Sequence, residues 1–100
     1  MTLRHRSYVV TTLLLGDDDI AIRFGDLVVA RAEGATELDW ELVAYATDPE
    51  PVDHGAHHLT MMTAEGRDLS GDAIVVRSVD GTHVFRGAGP IAGVDPGELD

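Results

Sequence analysis

A chain of 100 residues has room for one core, and its 44% hydrophobic and 25% charged residues suit a folded globule rather than a disordered chain. Eighteen Asp and Glu against seven Arg, with no Lys, leave a formal charge of −11. That charge argues against nucleic-acid phosphate and against an anionic membrane as partners, because the leading electrostatic term is repulsive. The absence of cysteine excludes disulfides, thiolate metal sites and a cysteine nucleophile.

The first residues, Met1 to Arg6, are basic and are expected to fray. The apolar run that follows contains Thr11 and Thr12, is too short to span a membrane and carries no small-residue cleavage site. A cytoplasmic location is the expectation. Tyr8 to Leu15 reads as a strand, Gly16 to Asp19 as a turn and Ile20 to Phe24 as the returning strand. Gly25-Asp26 reads as a second turn into Leu27 to Ala32. This register gathers Leu13, Leu15, Ile20, Ile22, Phe24, Leu27 and Val29 on one apolar face.

Residues 37–47 admit two readings. As a strand, Leu38, Trp40, Leu42, Ala44 and Ala46 point inward while Asp39 and Glu41 stay in water. As a helix, Thr36 caps it and Leu38, Leu42 and Tyr45 form a stripe. The strand is preferred, because its alternation keeps both acids out of the core. After Asp48-Pro49-Glu50-Pro51 the chain loosens, and His57 to Thr63 returns as a strand. Asp68 to Ser70 reads as a short strand broken by Gly71. Asp80-Gly81, between apolar runs, marks a hairpin with Val79 facing Thr82, Arg77 facing Val84 and Val76 facing Phe85. Ile74, Val76 and Phe85 are then expected in the core, with Val75, Arg77, Val79, Val84 and Arg86 on the outer face. From Gly87 onward the glycines and Pro90 read as turn chemistry, and residues 96–100 as a frayed end.

The expected fold is therefore all-β: a small single domain over 1–100, an antiparallel barrel or sandwich of about six or seven strands. The alternative is α+β with one helix at 37–47.

Several clusters invite chemistry. Asp53, His54, His57 and His58 place three imidazoles and a carboxylate within six residues, donors that suit Zn²⁺ or Ni²⁺. Their spacing matches no strong metal motif, and neighbours in a strand point to opposite faces. Asp17-Asp18-Asp19 lacks the surrounding spacing of a Ca²⁺ loop and reads as a solvated hairpin tip. Gly87-Ala88-Gly89 precedes no helix that could hold a phosphate. Ser78 faces His83 across the proposed hairpin, without a third group to complete a catalytic set. Asp68-Leu69-Ser70 resembles the Asp-x-Ser segment of cyclic-dinucleotide-binding barrels of the PilZ type. The glycine spacing after that serine is missing, and Arg4 and Arg6 stand at the wrong spacing for the paired upstream arginines, so the chain is not assigned to that family.

Arg77 and Arg86, sharing a face with Val75, Val79 and Val84, form a half-apolar surface with the character of an interface. The functional expectation is a non-enzymatic β module acting through protein contact, as a homo-oligomer or an accessory subunit, with no cofactor. The alternative is a small-ligand or divalent-metal barrel built on His54, His57, His58 and Asp53. A nucleic-acid mimic is disfavoured, because the acids are scattered rather than spaced like phosphates.

Overall fold

Apolar and polar residues alternate along most of the chain, and that period of two produces strands with one wet and one dry face. The computed structural model describes residues 3–32 and 37–99. It contains β1 (Leu3–Leu15), β2 (Asp18–Ile20), β3 (Ile22–Ala32), β4 (Asp39–Ala46), β5 (Gly55–Thr63), β6 (Asp68–Val79) and β7 (Thr82–Ala92), then a 3-10 turn at Pro96–Leu99. Every pairing is antiparallel. The order β1-β3-β4-β7-β6-β5 closes on itself through β5 and β1, giving a six-stranded barrel. β2 is an extra strand paired only with β1. Closure leaves the six strands no long unpaired edge on which another chain could add.

The inward positions fill the barrel with side chains. Leu13, Leu27, Leu42, Leu59 and Phe85 are wholly buried, and Met61 and Leu69 almost so. Residues 39–46 form a strand, not a helix, and Trp40, Leu42 and Ala44 point in as the alternation requires. Asp80 and Gly81 both have positive φ, 52° and 82°, as a two-residue turn of type I′ demands. The partners next to the turn are Val79–Thr82, Ser78–His83 and Arg77–Val84.

Three glycines expected to break strands lie inside them. Gly25 belongs to β3, where a Cβ would stand 3.0 Å from the Leu42 Cδ1 and 3.4 Å from the Val10 Cβ. Gly71 continues β6 and Gly87 continues β7 beneath the indole of Trp40. In each case glycine answers a need for space rather than for a bend.

Two features overturn the expected facing. Gly25 carries β3 on without a turn, so alternation with Leu27 and Val29 leaves Phe24 40% exposed, outside the core to which it was assigned, while the shift between Ile22 and Phe24 turns Ile22 back toward the core. Between Val75 and Arg77, a bulge at Val76 pairs Val75 with Phe85 and Ile74 with Arg86. An extra residue in one strand reverses which side the preceding residues face. Val75 is consequently buried at 3%, while Ile74 and Val76 stand outside.

Residues 3–6 pair with β3, and Leu99 is buried against the core. Residues 1–2 and 100, also expected to fray, lie outside the described residues.

Candidate functional site

The outer wall of β3, β4, β7 and β6 is a lattice of paired positions. One row runs Phe24, Tyr45, Thr82, Val79; the next runs Asp26, Val43, Val84, Arg77; the third runs Val28, Glu41, Arg86, Ile74. Val76 projects from the bulge beside the middle row. Phe24, Val28, Ile74, Val76 and Val79 are all at least 40% exposed. The rings of Phe24 and Tyr45 lie 4.8 Å apart, so the aromatic corner is prearranged. Arg86 and Glu41 pair loosely at 3.7 Å in water, a contact worth little to stability. Beside them the wall has a hollow of about 570 Å³ next to Trp40, where Ala30 and Gly87 are small.

Four of the five residues expected on this surface are there: Arg77, Val79, Val84 and Arg86. Val75 is not, for the reason of the bulge. The sequence reading missed Ile74 and Val76, which take its place, and Phe24, Val28 and Tyr45 across the wall. Their membership depends on pairing between β3, β4 and β7, which no local pattern reports.

The histidine segment is dispersed by its own strand. His57 faces inward, and its ring nitrogen Nε2 lies 2.8 Å from the Asp53 carbonyl oxygen. His58 points outward, with Nδ1 2.8 Å from the Asp72 carboxylate. His54 lies in the exposed loop before β5. Among the described residues, no three His, Asp or Glu side chains converge as metal ligands would.

The end of the barrel above β5 and β7 opens into a cleft of about 490 Å³. Leu15, Ile20, Ala46 and Val52 supply apolar lining, and Asp18, Asp19, Asp48, Glu50 and Asp53 surround it. His83 lines it while only 1% exposed. Its Nδ1 lies 2.8 Å from the Ser78 Oγ, and that oxygen accepts the Val52 N–H at 2.8 Å. Burial pushes the imidazole below its ordinary pKa, toward the neutral form. Ser78 thus sits between His83 and the Val52 backbone, and among the described residues no third side chain hydrogen-bonds the His83 ring to orient it.

The opposite end is closed by the 3-10 turn. The Tyr8 hydroxyl donates to the Glu98 carboxylate at 3.0 Å, and the Arg67 guanidinium donates to the same oxygen. The guanidinium holds the Glu98 carboxyl below its usual range, helped by the Tyr8 hydrogen bond. Burial, and then the neighbouring carboxylate, push the Tyr8 phenol up.

Leu69 in the core puts Asp68 and Ser70 on the outer side of β6, while Arg6 lies over the Tyr8 ring, 5.3 Å from its centroid, at the closed end. Among the described residues, no helix is long and apolar enough to cross a membrane. Comparison with family models, with curated proteins and with solved structures gives no match.

Proposed function

We propose that the chain is a non-enzymatic β module that acts by protein contact through the outer wall of β3, β4, β7 and β6, and that the contact is with a second copy of itself. The observation that carries this reading is the gathering of exposed apolar side chains. Among the described residues, five of the seven large hydrophobic side chains that stand in solvent, Phe24, Val28, Ile74, Val76 and Val79, share this wall. Scattered singly they would call for no explanation; clustered on one wall they mark an interaction surface.

The local charge of the wall is what allows a copy as the occupant. Two chains of −11 repel wherever their general surfaces meet, so they can associate only where a surface carries both signs. On this wall Arg77 and Arg86 balance Asp26 and Glu41. A two-fold contact lays the arginine side of one copy against the acidic side of the other, as a self-complementary patch requires. A cytoplasmic setting goes with this reading.

Sedimentation equilibrium at tens of micromolar tests it. The expected mass is twice 10.7 kDa, falling to 10.7 kDa in Val84→Glu, with an unchanged circular dichroism spectrum. A wild-type chain that stays monomeric at that concentration overturns the reading.

A further inference from the structure

The acidic cleft at the open end of the barrel has features that the outer wall does not use. Five carboxylates border it and no arginine lines it, although the chain has seven. A concave site lined by one sign of charge concentrates its field and favours a counter-charge inside. The apolar lining by Leu15, Ile20 and Val52 favours a ligand with carbon as well as charge.

The second, independent observation is His83. The side chain is 99% buried, yet its Nε2 makes no hydrogen bond to any described residue. No buried side-chain nitrogen or oxygen in the described molecule lacks a partner, so the ring's remaining exposure lies at Nε2, toward the cleft it lines. The Ser78 Oγ accepts from the Val52 N–H, and among the described residues its own proton has one acceptor within reach, the Nδ1 of His83. In the tautomer that uses this bond, Nδ1 accepts and the neutral ring carries its hydrogen on Nε2. An N–H donor then points into a cleft bordered by carboxylates.

That pairing defines a ligand. Carboxylates ask for a cation; the buried N–H asks for an oxygen acceptor close to it. We propose that the open end of the barrel binds a small organic ammonium group carrying a neighbouring carbonyl or hydroxyl oxygen, the nitrogen held by the carboxylates and the oxygen by the His83 Nε2–H. A free amino amide or amino alcohol has this chemistry, and so does the amino terminus of a peptide.

Glycinamide is the probe, titrated into the wild-type chain at about 0.15 M salt, where exposed charges are already screened beyond about 8 Å. Long-range ¹H–¹⁵N spectra report the His83 tautomer first and then its response. The expected result is an Nε2–H ring in the free protein and a saturable shift of the His83 nitrogens. N-acetylglycinamide, which lacks the charge, binds roughly tenfold more weakly, as loss of a hydrogen bond involving a charged group implies, and propylamine, which lacks the oxygen, roughly fivefold, as loss of a neutral one implies. Tetraglycine amide separates the two sources. Tighter binding than glycinamide assigns a peptide terminus, and equal or weaker binding assigns the free amine.

His83→Phe is expected to weaken glycinamide about tenfold, and two further variants keep the test sound if it fails to fold. Asp19→Asn and Asp53→Asn, both at exposed positions, are each expected to weaken glycinamide several-fold. A proton on Nδ1, no saturable response, or equal binding of glycinamide and its acetylated form overturns the proposal.

Discussion

The indole of Trp40 lies directly over the bare Cα of Gly87, so close that a methyl group there would overlap the ring nitrogen. The same indole covers Gly71 on the next strand, where a Cβ would stand 2.8 Å from Cζ2. Its Nε1–H donates to the Gly89 carbonyl at 3.0 Å, which satisfies the one polar atom of a side chain only 4% exposed. One aromatic residue on β4 thus sets the composition of β6 and β7.

Gly87→Ala is therefore expected to destabilise the chain by about 2 kcal/mol through overpacking. In a Trp40→Leu background the same substitution is expected to cost at least about 1 kcal/mol less, because the overlapping atoms are gone. Urea unfolding of the four chains in this cycle, followed by circular dichroism, gives the coupling. Additive costs contradict the packing described.

The bulge at Val76 makes a sharper distinction between neighbours. Val75→Ala removes wholly internal contacts and is expected to cost about 2 kcal/mol. Val76→Ala, at a side chain 49% exposed, is expected to change stability by no more than about 0.5 kcal/mol. The reverse order would mean that the hairpin runs without a bulge, in the register its sequence alone suggests.

That contrast shows where sequence reading stops. The Asp80-Gly81 turn and the first three pairs beside it are legible, because turn chemistry and alternation are local. The strand at 39–46 is legible for the same reason: alternation keeps Asp39 and Glu41 wet. The bulge is not, since an apolar residue lies at each of positions 74, 75 and 76 and either register buries one of them. Gly71 and Gly87 look like breakers until Trp40 is placed above them, and its partner Gly89 is 49 residues away. The Ser78–His83 contact follows from the turn, but the Val52 N–H that shares the Ser78 oxygen comes from a loop 26 residues earlier. The outer wall was half readable: its β6–β7 arginines and valines follow from the hairpin, and Phe24, Val28 and Tyr45 need the barrel.

The closed end is expected to be acid-sensitive. The folded state holds the Glu98 carboxyl below its ordinary value of 4.5, so the unfolded chain takes up the proton first. The stabilisation is complete above about pH 4.5 and is lost as pH falls through the lower, folded value. Glu98→Gln removes that dependence. Denaturant unfolding of both chains between pH 2 and 6 checks it, and parallel profiles would contradict the latch.

His83 is expected to act in a higher window. Burial lowers its folded pKa below the ordinary 6.5, so the unfolded chain again binds the proton more readily. Its contribution is complete above about pH 6.5 and diminishes as pH falls through the folded value. The wild-type chain should lose stability between pH 7 and 5 more steeply than His83→Phe. An equal slope would place the imidazole in water.

The most direct test of the contact surface is a dilution series of amide spectra, from millimolar to micromolar chain. Self-association through the outer wall predicts concentration-dependent shifts at Val43, Tyr45, Val84 and Arg86, with Leu14, Thr60 and Met62 on the far wall unmoved. Spectra that do not change on dilution, or shifts confined to the far wall, would contradict it.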